Sequence, residues 1–244
     1  MEETTRIFGI RVVIEAIESG KSLDKVYIQK GLSGPLFQEL NRHLKKANIN
    51  VSYVPVEKLN KLSNGNHQGV VATISPINFQ DLEILVEQSL SSSTPALFLL
   101  LDQITDVRNF GAIIRTAECC QVSGIIIPEK GAAPINADTI KTSAGGVFNV
   151  PICKVSHIRD AVFHLQSSGI QVVAATEKTE ENIYDIDLKK PTAIVMGNEA
   201  KGVSNSVLKS VDKKAKLPML GTIESLNVSV ACGAFLYEAL RQRI

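Results

Sequence analysis

The stretch Ala96–Cys120, ALFLLLDQITDVRNFGAIIRTAECC, decides the architecture. Its apolar run, Ala96 to Leu101, ends in Asp102. A run of this kind is expected of a strand buried on both faces, as in a parallel sheet covered by helices. A polar turn follows, including Thr105, Asp106, Arg108 and Asn109. The pattern then becomes helical and predicts a helix over 111–122, with Asn109 able to cap it and Gly111 permitting close backbone approach. Arg115 falls on the first or second turn of that helix, within reach of the same mouth.

The strand–loop–helix rhythm repeats downstream. Strands are expected at ALFLLLD, GIIIPE, VFNVPICKV, IQVVAAT, TAIVMG and AKLPM, and helices at 111–122, 136–145, 157–168, 203–209 and 225–242. Such a chain makes an open α/β sheet, whose ligands sit at the carboxyl ends of the strands. The first region is also α/β. GIRVVIEAIESG reads as a helix closed by Gly20, LDKVYIQK as a strand, and GPLFQELNRHLKKANI as a helix from Pro35. NVSYVPV, EKLNKLSN and GVVATIS then read as strand, short helix and strand. A helix near 80–90 and the Ser-rich turn SSSTP separate the two regions. The expected domains are therefore 1–76, a linker over 77–95, and 96–244.

At 244 residues the chain can bury a proper core. Trp is absent and aromatics are only 5%, which argues against aromatic platforms for single-stranded RNA as the dominant feature. The N-terminal MEETTRIFGI has no apolar core and does not read as a signal peptide. The apolar run Ala96–Leu101 is far too short to span a bilayer, so no membrane association is expected. Cys119, Cys120, Cys153 and Cys232 have neither disulfide-scaffold density nor metal-ligand spacing, and a reduced cytoplasm is the simplest home. Residues 1–76 hold ten Lys and Arg against seven Asp and Glu, a net of +3, which leaves −2 for residues 77–244. If either part meets a polyanion it is the first, although a solvated face explains the charge equally well.

Two later loops complete the candidate site. In AIVMGNEAKGVSNSV, a buried strand ends at Gly197, Asn198 and Glu199 follow, and Gly202 closes the turn. In AKLPMLGTIESLNVSVACGAF, the strand stops at Pro218, and Ser225 and Asn227 stand at the mouth of a final helix whose first turns are rich in small residues. Each loop alone also reads as an ordinary turn or helix start. A Gly-x-Gly-x-x-Gly fingerprint, a Walker lysine loop, a Ser-His-Asp set and a metal cluster are all missing from the sequence.

The order of the three loops is more specific. Asn109–Arg115 (NFGAIIR), Val195–Val203 (VMGNEAKGV) and Leu217–Ala231 (LPMLGTIESLNVSVA) together resemble the SpoU family of RNA 2′-O-ribose methyltransferases, within the SPOUT class. The resemblance spans 97–243. Residues 6–76, with IFGIRVVIEAI and HQGVVATI, resemble the small α/β substrate-binding domain of members that act on 23S rRNA. Asn198 stands where alanine is common and Phe110 where leucine is common. The resemblance implies a C-terminal α/β domain with a deep trefoil knot, a feature no strand pattern predicts. It implies S-adenosyl-L-methionine as cofactor, met by Thr176, Gly197, Leu217 and Leu226, and no metal. It implies that Asn109, Arg115, Glu199, Ser225 and Asn227 form the catalytic set. A guanidinium stays protonated, so Arg115 is expected to bind the adjacent phosphate and make the 2′-hydroxyl more acidic, while the others hold the ribose and the loops. The 2′-hydroxyl selects RNA over DNA.

The expected function is methylation of a guanosine of 23S rRNA by a homodimer. The alternatives are a tRNA 2′-O-methyltransferase or a non-catalytic RNA-binding module, the latter opposed by the presence of all five polar residues. A nucleotide-dependent oxidoreductase is disfavoured by the missing glycine fingerprint.

Overall fold

The computed structural model describes residues 6–47, 49, 51–223 and 225–244. Asn50, in the third expected strand, and Glu224, in the third loop, lie outside the described residues. The chain divides into two compact units, one ending at Asn78 and including Ile135–Ala137, the other formed by Phe79–Pro134 and Asp138–Ile244.

The first unit runs β1 (Arg6–Phe8), α1 (Ile10–Glu18), β2 (Leu23–Gln29), α2 (Pro35–Lys46), β3 (Val51–Val54), α3 (Val56–Leu62) and β4 (Val70–Ile74). The four strands lie in the order β1-β4-β2-β3. Strand β1 is too short to be legible in the sequence; it exists because Arg6–Phe8 pairs antiparallel with Val71–Thr73. Alternate residues of β2 and β4, Val26, Ile28, Val70 and Ala72, pack beneath Val13 and Ile14 of α1 and Leu40 and Leu44 of α2.

The second unit contains α4 (Leu82–Leu90), β5 (Leu97–Asp102), α5 (Val107–Cys119), β6 (Gly124–Pro128), α6 (Ala137–Thr142), β7 (Ile152–Val155), α7 (Ile158–Ser167), β8 (Gln171–Ala175), β9 (Thr192–Gly197), α8 (Asn205–Leu208), β10 (Lys213–Ala215) and α9 (Val228–Arg243). Its sheet has the order β10-β8-β9-β5-β6-β7 and every pairing is parallel. All residues of β5, β6 and β9 are buried, as their unbroken apolar runs require. On one face Phe98, Leu100, Val172 and Val195 pack against Leu85 and Val86 of α4 and Ile158, Val162 and Leu165 of α7. On the other, α5 lies along α9, close enough that Gly233 faces the Thr116 methyl. The far end of α9 is held by Arg243. Its guanidinium donates to the carbonyls of Leu188 (2.8 Å), Pro95 (2.7 Å) and Lys190 (2.9 Å), and burial pushes its pKa down.

Two expected strands are shorter than the sequence suggested. In VFNVPICKV only Ile152–Val155 is strand; Gly146–Phe148 forms a 3-10 turn after Gly145, which sits at φ +82°. In AKLPM the strand ends at Ala215 and Lys216 turns away to bond with Glu181 and Ile183. Pro218, which has no N–H, cannot extend the ladder.

The four cysteines are free. Burial pushes the Cys120 thiol up to about 11 and the Cys153 thiol to about 12, and raises that of Cys232 as well. Only Cys119 is exposed. The thiolate is the reactive form, so at pH 8 a thiol reagent is expected to modify one cysteine per chain quickly, with the other three reacting only in denaturant. Fast reaction of two or more thiols in the folded protein would contradict this packing.

Candidate active site

The sheet reverses its direction of growth between β5 and β9. From β5 the chain crosses to β6 on one side; from β9 it crosses to β10 on the other. Open α/β sheets bind ligands at the carboxyl ends of such adjacent strands. Here Asp102 and Gly197, the last residues of β5 and β9, are direct partners in the register. The loops carrying the first and second motifs therefore leave the sheet side by side.

Local chemistry shapes each loop. Asp106, not Asn109, caps α5, accepting the Asn109 N–H at 2.8 Å. The helix thus begins at Val107, four residues before the expected start. An aspartate at this position satisfies an N–H that the first turn leaves unpaired. Asn109 becomes a residue within the first turn, and its side chain is free for tertiary contacts. Gly111 is needed for a different approach: a Cβ there would collide with the Thr142 hydroxyl of α6.

After β9, Asn198 and Gly202 exchange backbone hydrogen bonds of 3.1 and 2.7 Å, closing a tight loop with Gly202 at φ +67°. The Asn198 Oδ1 accepts from Ala200 N (2.9 Å) and Lys201 N (3.3 Å), and its Nδ2 donates to the Gln103 carbonyl at 3.0 Å. Asn198 thereby ties the loop after β9 to the loop after β5. The buried Asp102 carboxylate adds a second tie by accepting Ser204 N at 2.8 Å. The sequence reading assigned neither residue a role, although asparagine beside a glycine turn is a recognisable local signal. Phe110, the other departure, is fully buried and fills core.

The third motif enters through the cap of α9. Asn227 Oδ1 accepts from Ser229 N (2.9 Å), Ser229 Oγ (2.6 Å) and Val230 N (3.4 Å). That role turns its Nδ2 outward, where it donates to Asn109 Oδ1 at 3.1 Å. Asn109 must then present its own Nδ2 elsewhere, and it donates to Glu199 Oε1. The chain Asn227 to Asn109 to Glu199 has only one consistent orientation of both amides, set by the helix cap at its head. Asn109 is thereby joined to residues 90 and 118 positions further along the chain in one hydrogen-bonded line.

Not every candidate joins this line. Arg115 is exposed on the third turn of α5, because the helix starts early. It lies six residues beyond Asn109, about 9 Å along the axis and about 120° around it. Its backbone instead borders Gly146 in the 3-10 turn. Ser225 is exposed in the loop before α9.

The residues expected to meet a cofactor sit along the same carboxyl edge. Thr176 follows β8, is buried, donates its N–H to Ala215 of β10 at 2.9 Å, and accepts Lys178 N on its hydroxyl at 3.2 Å. Gly197 ends β9, and a Cβ there would overlap the backbone of Gly202 and Val203. Leu217 follows β10 and is half-buried. Leu226 precedes the cap of α9 and is 43% exposed. In the loop between them Leu220 is fully exposed and Ile223 is 72% exposed. Among the described residues no group of His, Cys, Asp and Glu could hold a metal ion.

Known proteins are similar to this chain in sequence and fold. The model of the SpoU rRNA Methylase family matches residues 96–237, and that named RNA 2′-O ribose methyltransferase substrate binding matches residues 6–80. A Bacillus subtilis (strain 168) protein, YacO, named for the TrmH family of tRNA/rRNA methyltransferases, is 32% identical over 237 residues, 97% of this chain and 95% of its own. The AdoMet-bound rRNA methyltransferase from Sinorhizobium meliloti superposes with a TM-score of 0.63 at 26% identity, covering 98% of this chain and 87% of that one. The A. aeolicus TrmH/SpoU tRNA modifying enzyme gives 0.57 at 36% identity, over 66% of this chain and 82% of that one. The line of amides at the β5–β9 edge belongs to a chain matched along nearly its whole length, and that chain is a member of the SpoU rRNA methylase family of RNA methyltransferases.

Proposed function

We propose that this protein transfers a methyl group from S-adenosyl-L-methionine to the ribose 2′-hydroxyl of a guanosine in 23S ribosomal RNA. The observation that carries the proposal is the Asn227–Asn109–Glu199 line beside the edge formed by Thr176, Gly197, Leu217 and Leu226. Backbone groups after β8, β9 and β10 would hold the polar parts of the cofactor, and Leu217 and Leu226 its apolar parts. When bound there, the sulfonium supplies an electrophilic methyl group. The protein's own work is to align the hydroxyl for in-line displacement and to manage its proton. Arg115 binds the neighbouring phosphate and stabilises the developing alkoxide. Asn109, Glu199 and Asn227 keep the three loops in register, and Ser225 meets the ribose.

The same reading includes a homodimer. Arg115 lies apart from the amide line of its own chain. Val230 (57% exposed) and Tyr237 (54% exposed) lie seven residues apart on one face of α9, with the small residues Gly233 and Ala234 between them. A twofold contact through this face would let Arg115 serve the partner's pocket. The reading also retains the trefoil knot of the C-terminal domain and a cytoplasmic location. The 36%-identical tRNA modifying enzyme favours tRNA as the second substrate reading.

Incubation with methyl-labelled S-adenosylmethionine and total RNA is expected to label RNA. Mapping of 2′-O-methyl sites in a strain lacking the protein is expected to show one ribosomal guanosine unmodified. Loss of a tRNA site instead would establish the second reading, and no labelling of any RNA would overturn both.

A further inference from the structure

We propose that the α3-side face of the first unit's sheet is an RNA-docking surface built around Tyr27, with Arg6, Lys25, Lys58 and Lys61 as its phosphate contacts. This rests on the reading that RNA is the substrate and adds where the first unit grips it. The sheet has two unlike faces. One is sealed by α1 and α2 over an apolar layer. On the other, among the described residues of this unit, the seven-residue α3 packs Leu59 against Val54 and Val71. The register places Arg6, Thr73 and Lys25 side by side on β1, β4 and β2, with Phe8, Val71 and Tyr27 in the next row of the same face.

An aromatic ring gathers two of these cations. Lys25 Nζ lies 5.4 Å and Lys58 Nζ 5.6 Å from the Tyr27 ring centroid. Such contacts leave an ammonium fully charged, with donors still available. Lys61 is one turn further along α3, and Arg6 reaches the end of that helix, donating to the Leu62 carbonyl at 3.4 Å. Both Lys25 and Lys58 are exposed, and Phe8 is 40% exposed. In the second unit Lys213 and Lys216 instead meet Glu181 at 3.2 Å and Glu180 at 2.9 Å, while Lys154 lies 4.1 Å from the Phe79 ring centroid. Two ammonium groups on one ring concentrate positive charge on this face, which an anion with repeated charges can neutralise. Phosphates over the lysine row, with a sugar or base edge against Tyr27 and Phe8, match this spacing of charge and ring.

The test uses the full chain and deproteinised large-subunit ribosomal RNA as probe. In Lys25→Gln/Lys58→Gln, affinity at about 0.1 M salt should fall roughly tenfold. The slope of log affinity against log salt should flatten by about 1.4 to 1.8, two phosphate contacts at 0.7 to 0.9 each. KM for RNA should rise while kcat stays within about twofold, since phosphate contacts position the substrate. Tyr27→Ala keeps both charges, so it should weaken binding several-fold without changing the slope. Lys45→Gln/Lys46→Gln, on α2 over the opposite face, removes the same charge and should change affinity and slope little. Thermal melting checks that each variant is folded. An unchanged slope in Lys25→Gln/Lys58→Gln, or an equal loss in the α2 variant, would overturn the assignment. Because binding is read without cofactor, failure of this surface is distinct from failure of wild-type protein to methylate RNA.

Discussion

Arg115→Ala is expected to slow methyl transfer by about 10²- to 10³-fold, the usual cost of removing one group that stabilises developing charge. Affinity for S-adenosylmethionine should stay within a few-fold. The division follows from geometry: Arg115 stands on the third turn of α5, away from the strand edge holding Thr176, Gly197 and Leu217. Asn227→Ala should also inactivate, by a different route. It removes the cap of α9 and the donor that orients Asn109, so the line to Glu199 loses its head. The two lesions together test the dimer. If each pocket takes Arg115 from one chain and Asn227 from the other, a mixed dimer of the two variants has one doubly damaged pocket and one intact pocket. Mixing under subunit exchange should restore activity, up to about half per mixed dimer on this counting argument. Exchange confirmed by native mass with no recovery would defeat the composite site. Loss of cofactor binding in Arg115→Ala, read by calorimetric titration, would defeat the division of labour.

Gly197→Ala is expected to cost the second unit on the order of 3 kcal/mol or more, because its added carbon would overlap backbone and no rotamer can relieve that. At this size of unit such a loss lowers the melting temperature by roughly 6–12 °C. Cofactor binding should be lost with it, since the collision falls on the Asn198–Gly202 bridge that shapes the loop after β9. Gly221→Ala is the control. A Cβ there meets nothing within 4 Å, and the change should stay within about 0.5 kcal/mol. A Gly197→Ala protein with wild-type melting and wild-type cofactor affinity would show that this close approach is dispensable.

Much of this protein is written locally. The all-buried strands β5 and β9 are visible as runs of apolar residues, because a strand covered on both faces has no polar side to alternate with. The mouth of α9 is visible because a side chain that can accept from free N–H groups precedes a helical pattern. The family likeness placed Asn109, Glu199 and Asn227 in one site, and their hydrogen bonds bring them together. The errors are local too. Two side chains at the start of α5, Asp106 and Asn109, could each cap it, and the choice of Asp106 moved Arg115 one turn further from the helix start. In VFNVPICKV the hydrophobic pattern could not distinguish a 3-10 turn packed under α5 from a strand.

What the sequence alone determined is the kind of each main element and the residue types at its ends, since both depend on neighbours within a few positions. Strand order, and with it the meeting of Asp102 with Gly197, was decided only by the tertiary structure. So were the Asn227–Asn109–Glu199 line and the approach of Lys58 to Tyr27. Those relations join residues tens of positions apart, and they follow from which faces the helices must cover, a condition that no local stretch of chain contains.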